Sequence, residues 1–334
     1  MSHIIQKNED TPAAMDRAVQ MGGRNVSNTT SPSAAVVGLG QMGGGIARNM
    51  AAKAKHLAAV WDTAADAAKR APEGIPLVPP KQLAGMADVI IFVVPSTKEI
   101  EQLLTGPDGI LSVDRPGQIL MDLTSSHPAE SRRLAGLAKA RGRIYMDAAM
   151  TGGATGADNG RLSLMCGGPA DVFETIKPVV APFSPKQFLL GDVGAGHTMK
   201  LVHNMILHTQ FFAVSEGVRV AEKAGIPLEM AIEVLNSGFA RSVITEHRFP
   251  SHIISGKWDA RSVVSNLAKD VGLCADLAAE MGQPAPFGTM TAELLDEAMS
   301  RGMANTDFSR LYLEMDSLLE TKKPKRQPKG KAGK

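Results

Sequence analysis

The chain is short of cysteine, with two in 334 residues, Cys166 and Cys274. They show no pairing or metal-ligand spacing. That excludes a disulfide scaffold and suits a reducing, cytoplasmic setting in which both are buried thiols. Long apolar runs are also missing. None approaches the ~20 residues needed to cross a bilayer, so no membrane partner is expected. The first 33 residues carry Lys7, Glu9, Asp10 and Asp16 and no apolar centre. This excludes a secretory signal, and the acids speak against a transit peptide. The stretch 1–33 is polar, rich in Asn, Ser and Thr, and reads as a disordered extension. No solenoid period recurs. No His/Asp/Glu set has ligand spacing, so no metal is expected.

Excess charge is lacking too: the formal net charge is +2. Its distribution is uneven, because Lys322–Lys334 holds seven Lys/Arg and no acid. The remainder has 29 basic residues against 34 acidic ones and is mildly acidic. The tail 321–334 reads as a solvated, disordered appendage rather than a nucleic-acid tether, and nucleic acid is not an expected partner.

What is present begins with Ala34–Asp62, AAVVGLGQMGGGIARNMAAKAKHLAAVWD. An apolar run ends in Gly38-Leu39-Gly40-Gln41-Met42-Gly43. A helical pattern follows, then a second apolar run, Leu57–Trp61, ending in Asp62. This strand–turn–helix–strand order has the dinucleotide-binding glycine spacing. Gly38 permits the tight turn, Gly40 lets the backbone approach a pyrophosphate, and Gly43 permits close helix–strand packing. The helix N-terminus favours the anion. Asp62 lies 19 residues past Gly43, where a carboxylate can accept from a ribose diol and would repel a 2′-phosphate. NAD is therefore expected over NADP, although Asp62 could instead merely cap the segment at Thr63.

Strand patterns continue at Asp88–Val94, Gln118–Leu123, Arg143–Ala148, Leu162–Cys166 and Gln187–Leu190, with a helix over Pro128–Arg141. The fold class is α/β: a doubly wound Rossmann sheet over 34–195, with its ligand crevice at the strand C-termini. From Gly196 no strand signal appears. Thr198–Ala224 reads as one long helix, followed by helices at Pro227–Leu235, Asn266–Met281, Phe287–Arg301 and Asp307–Leu319. An all-helical domain over 196–320 is expected, joined through the long helix.

Four clusters could carry chemistry. Asp122–Pro128 (DLTSSHP) ends a strand with hydroxyls that could meet a nicotinamide amide, or simply cap the next helix. Asp147–Ala157 (DAAMTGGATGA) is a loop of small residues whose N–H groups and hydroxyl suit a carboxylate. Gly194–Asn204 (GAGHTMKLVHN) places Lys200 and Asn204 four apart on one helix face. A desolvated lysine there could work as an acid/base near neutral pH. His203 and His208 read as packing or surface histidines. The pair Lys269-Asp270, alone, says nothing.

Together these motifs resemble the β-hydroxyacid dehydrogenase family, which includes 3-hydroxyisobutyrate dehydrogenase, tartronate semialdehyde reductase and related succinic semialdehyde/glyoxylate reductases. The likeness runs from Ala34 to Leu319 through GLGQMG with Asn49 after it, DLTSSHP, DAAMTGGATGA, GAGHTMKLVHN and KD. It implies Lys200 as catalytic acid/base, assisted by Asn204, and a substrate carboxylate held by Thr151, Gly152 and Gly153. Asp270 joins the substrate site, while Ser125, Val94, Pro95 and Lys269 flank the cofactor. The carboxylate loop usually reads DAPVSGG. Here Ala149 replaces Pro and Thr151 replaces Ser, keeping the hydroxyl. Some semialdehyde reductases carry an aromatic eight residues before the KD aspartate. Ser262 stands there and leaves room for a larger or more polar substrate.

The expected function is NAD-dependent interconversion of a small 2- or 3-hydroxy acid and its keto or semialdehyde form. A homodimer or homotetramer through the helical domain is expected. Two other readings share the fold: a non-catalytic NAD(P)-binding reader tethered by the basic tail, and an imine-reducing relative. Lys200 separates both from the dehydrogenase.

Overall fold

The structure, a computed structural model, describes residues 31–320. The tail 321–334 and residues 1–30 of the expected N-terminal extension lie outside the described residues. Ser33, counted in that extension, is anchored: its N–H and hydroxyl donate to Asp88 at 3.0 and 2.7 Å.

Seven strands form one sheet: β1 Ala34–Val37, β2 Leu57–Trp61, β3 Val89–Phe92, β4 Ile119–Asp122, β5 Ile144–Thr151, β6 Ser163–Gly167 and β7 Lys186–Leu189. Their order is β2-β1-β3-β4-β5-β6-β7. The central strands β1, β3 and β4 are short, largely apolar runs because the sheet is covered on both faces there, whereas the edge strand β7 (KQFL) is half-exposed. Ala34, Val36, Val89 and Ile91 point into one core. Ala35, Val37, Ile90 and Phe92 point into the other. Helices α1 Gln41–Lys53, α2 Ala67–Arg70, α3 Pro80–Met86, α4 Thr97–Thr105, α5 Pro128–Lys139, α6 Gly153–Asp158 and α7 Ala170–Val180 occupy the connections.

All neighbours pair in parallel except β5 and β6, which are antiparallel. The length between them explains this departure from the repeated βα reading. Residues 152–162 hold only the short α6, too little chain for a parallel crossover. The order turns at β1, between β2 and β3, so the ligand crevice lies above the C-terminal ends of those strands.

The long helix α8 runs over Ala195–Lys223, three residues earlier than its periodicity suggests. Ala195 and Gly196 carry little helical signal, but Gly194 at φ 101° turns the chain into the helix. The helices that follow are α9 Leu228–Asn236, α10 Val264–Glu280, α11 Pro286–Ser300 and α12 Met315–Glu320. They enclose a core built on Phe211, Phe249, Phe308 and Tyr312. Two features depart from the sequence reading. Ile244–Ile254 is a π-helix containing Pro250. The expected helix over Asp307–Leu319 breaks into a 3₁₀ turn, Phe308–Tyr312, and α12. Asp307 caps the 3₁₀ turn, its Oδ1 accepting from the Ser309 N–H at 3.0 Å. Among the described residues this half has a single isolated bridge, Val263 to Asp307, and no strand.

Candidate active site

The glycine turn follows β1 directly. Gly38 has φ 96°, and a Cβ there would strike the Val93 carbonyl. A Cβ on Gly43 would strike the Gly38 carbonyl, so α1 seats against the turn only without a side chain. Gly40 is different: its Cβ position meets nothing within 4 Å. It is the N-cap of α1 and offers no side-chain cap, which leaves the first-turn N–H groups for an anion. Gln41 is exposed beside it, while Leu39 is buried and Met42 packs on the core. The Val94 Cγ1 lies 3.3 Å from the Gly38 Cβ position, and Pro95 is exposed next to it.

Asp62 stands across this turn. Its Oδ2 accepts from the Leu39 N–H at 2.5 Å and its Oδ1 from the Ala64 N–H at 2.7 Å. The second contact is the local cap weighed from sequence. The first ties the carboxylate to the glycine turn itself. These groups fit a dinucleotide: an open glycine, an uncapped helix end and a carboxylate at the ribose position.

Lys200 and Asn204 lie on one face of α8, as their spacing requires. Asn204 Nδ2 donates to Asp270 Oδ2 at 2.6 Å, and Asp270 is buried. Lys269 Nζ sits 3.5 Å from Asp270 Oδ1 and donates to the Ser125 carbonyl at 3.3 Å, linking α10 to the loop after β4. The Lys-Asp pair that meant nothing alone thus joins two of the other clusters. Among the described residues, no hydrogen bond or ion pair engages the Lys200 ammonium. Burial pushes it below its ordinary value, Lys269 pushes the same way, and Asp270 opposes both. A lysine so placed gives up its proton more readily than an ordinary one, as an acid/base requires.

Thr151 ends β5 and its hydroxyl lies 3.3 Å from His203 Nε2, whose Nδ1 lies 3.0 Å from Asn204 Oδ1. Gly152 and Gly153 follow with φ 122° and 63° and are exposed. His203 is therefore not mere packing: it bridges the small-residue loop to Asn204, and burial holds its pKa down. Asn49 steadies the same loop from below. It donates to the Ala157 and Asp158 carbonyls at 2.9 and 3.0 Å, joining α1 to α6. His127 caps α5, its Nδ1 accepting from the Ala129 N–H at 3.3 Å.

Sequence reasoning missed a buried polar network under α8. Asp147 Oδ1 accepts from the Gly194 N–H at 2.6 Å, and Oδ2 from the His197 N–H at 2.8 Å. His197 Nδ1 lies 2.6 Å from the Ser131 hydroxyl, and its Nε2 faces Asp122 Oδ1 at 3.9 Å. Tyr145 donates to Asp122 Oδ2 at 2.6 Å. Asp122, Asp147 and His197 are fully buried. The available signal was an acid at the same register of two neighbouring strands. Its consequence is mechanical: the first turn of α8, one turn before Lys200, is pinned to the sheet.

Both cysteines are buried. Burial pushes the Cys166 thiol up to about 12. Among the described residues no group of His, Cys, Asp and Glu could hold a metal ion, and no helix is long and apolar enough to cross a membrane.

Known proteins share this architecture. Residues 33–191 match the family model for the NAD binding domain of 6-phosphogluconate dehydrogenase. Residues 194–314 match the model described as NAD-binding of NADP-dependent 3-hydroxyisobutyrate dehydrogenase. A probable mitochondrial 3-hydroxyisobutyrate dehydrogenase of Dictyostelium discoideum is 30% identical over 297 residues, covering 86% of this chain and 92% of that one. The 2-(hydroxymethyl)glutarate dehydrogenase of Eubacterium barkeri is 28% identical over 274 residues, 82% of this chain and 91% of that one. The solved Mycobacterium tuberculosis 3-hydroxyisobutyrate dehydrogenase with L-serine superposes with a TM-score of 0.78 at 26% identity, covering 86% of this chain and 99% of that one.

Proposed function

The chain belongs to the 3-hydroxyisobutyrate dehydrogenase family of NAD(P)-dependent oxidoreductases acting on CH–OH groups, and from that premise we propose that it interconverts a small 2- or 3-hydroxy acid and its oxo form, using NAD in preference to NADP. The observation that carries this reading is Lys200: a half-buried ammonium with no hydrogen bond or ion pair among the described residues, on the same helix face as Asn204, which is bonded to Asp270. Bound NAD(P) supplies the hydride acceptor, or the donor in the reverse direction. Thr151, Gly152 and Gly153 hold the substrate carboxylate. Lys200 takes the hydroxyl proton as the carbonyl forms and returns it in reduction. Asn204, fixed by Asp270, orients the hydroxyl. Ser125 and Lys269 border the nicotinamide side, and Gly38–Gly43, Asp62, Val94 and Pro95 border the rest of the cofactor. Holding the reacting groups in register accounts for much of the acceleration.

A panel of 2- and 3-hydroxy acids, assayed with NAD and NADP, tests the reading. Oxidation of some hydroxy acids is expected; turnover of none, with intact cofactor binding, would favour the non-catalytic reader. That rival draws on the tail 321–334, outside the described residues, and leaves Lys200 without a purpose. An imine-reducing role leaves it equally without one.

Asp62 supports the cofactor preference. A 2′-phosphate beside its carboxylate meets like charge in a partly desolvated crevice. NAD should give the higher kcat/KM, and Asp62→Ser should narrow the ratio. Equal or better use of NADP by the unaltered protein would end this assignment.

Exposed Phe239, Met281, Phe287 and Met290 on the helical half support the homodimer or homotetramer, which light scattering on the full chain would read. The two unbridged, buried cysteines support a cytoplasmic setting.

A further inference from the structure

One half-buried cation beyond the Lys200–Asn204 face forms no ion pair among the described residues. Arg248 lies on the π-helix Ile244–Ile254, its guanidinium carbon 5.6 Å from the centroid of the Phe308 ring. On the same ring rests His208, at 6.2 Å. His208 follows Lys200 and Asn204 at four-residue intervals along one face of α8, so the three form a stripe ending at Phe308 and Arg248. Burial, and after it the charges of Lys200 and Arg248, push the His208 pKa down to about 3, leaving a neutral ring that feels both cations.

Among the described residues, Arg248 makes no ion pair and no hydrogen bond. The acid that acts on it is Asp307, and that carboxylate is already taken. Oδ1 accepts from the Ser309 N–H and hydroxyl, and Oδ2 from the Arg261 N–H. A half-buried guanidinium whose contact is an aromatic ring and not an anion is costly to maintain unless something anionic binds it.

The backbone around Arg248 is irregular. Long π-helical segments are rare and concentrate where function needs them. Trp258 and Arg261, just beyond, hold φ of 52° and 59°, strained values for side chains of that size. The Ser262 backbone carbonyl accepts from the Phe308 N–H at 2.9 Å, so the residue that some semialdehyde reductases replace with an aromatic adjoins Phe308 in this chain. Lys200 needs a hydroxyl and the Thr151–Gly153 loop takes one carboxylate, so neither accounts for Arg248.

We propose that Arg248 receives a second carboxylate at the far end of the substrate, so that the protein acts on hydroxy dicarboxylic acids rather than hydroxy monoacids. This rests on the dehydrogenase reading and narrows its substrate class. The planar guanidinium, backed by the Phe308 face, offers the paired donors that a carboxylate accepts.

The test compares 2- and 3-hydroxyglutarate with 2- and 3-hydroxyvalerate, which match them in length and lack the second acid. The unaltered protein should favour the diacid in kcat/KM. In Arg248→Leu, which keeps apolar cover on Phe308, the diacid-to-monoacid ratio should fall about tenfold or more. Arg248→Lys should recover part of it. Glutarate binding to the NAD-loaded protein, followed by calorimetry, should be saturable and weaken by a like factor in Arg248→Leu. A monoacid preference in the unaltered protein overturns the proposal whatever the variants do, as does a ratio that stays within about twofold in both variants. If no hydroxy acid is oxidised but glutarate still binds through Arg248, the dehydrogenase reading fails and the subsite stands.

Discussion

Lys200→Ala is expected to lower turnover by the ~10²–10⁴-fold typical of losing a positioned proton-transfer group, while NAD affinity stays near that of the unaltered protein. The two effects separate because the pyrophosphate turn Gly38–Gly43 belongs to β1 and α1, whereas Lys200 stands on α8. Lys200→Arg should also be poor, since a guanidinium stays protonated and cannot accept the hydroxyl proton. Asn204→Ala should cost less, because in the proposed mechanism Asn204 orients and does not transfer.

The pH profile carries a sign. Oxidation needs the neutral amine, so kcat/KM rises with pH until Lys200 is deprotonated. Burial puts that limb below the ~10.4 of an ordinary lysine. Asp270 is the neighbour that holds the proton on. Asp270→Asn should therefore move the limb to lower pH. Reduction needs the ammonium and should lose activity with rising pH through the same limb. Cofactor binding by fluorescence and kcat/KM profiles in both directions read these effects. Near-normal turnover in Lys200→Ala, or an upward shift in Asp270→Asn, would remove the mechanism.

Local patterns carried much of this site. The glycine turn, Asp62 and the Lys200–Asn204 face are short-range features, set by backbone freedom and helix period, and the folded chain keeps each. The central strands were legible for the same reason: a strand buried on both faces reads as a largely continuous apolar run. What stayed hidden depends on long-range partners. Lys269 shows its purpose only when α10 brings it to the Ser125 carbonyl. The antiparallel β6 follows from chain length rather than residue type. The π-helix around Pro250 has no propensity signature of its own. Asp147 was read as the first letter of a small-residue loop, although its two oxygens are spent on the N-terminus of a helix 47 and 50 residues further on.

Asp147→Ala should be the most destabilising change near the site. It leaves the Gly194 and His197 N–H groups buried without acceptors, at roughly 1–3 kcal/mol each, and removes a carboxylate from the start of α8. Asp147→Asn is milder and more informative. Its amide oxygen satisfies one N–H while its amino group faces the other, so the first turn of α8 loosens and Lys200 shifts with it. Turnover should drop with little change in cofactor affinity.

A linkage effect accompanies this. Burial raises the Asp147 carboxyl above its ordinary value, against the pull of His197 and the two N–H donors. The folded state thus holds this proton more tightly than the unfolded chain. The stability so contributed is full below ~3.9 and is lost as pH rises through the folded value. Asparagine has no such dependence, so the stability gap between the unaltered protein and Asp147→Asn should be wider at low pH and should narrow as pH rises. Denaturant unfolding across that range, alongside turnover, reads both effects. A gap that widens with pH would show a carboxylate stabilised in the folded state, and unchanged turnover would show that the anchor under α8 does not set Lys200.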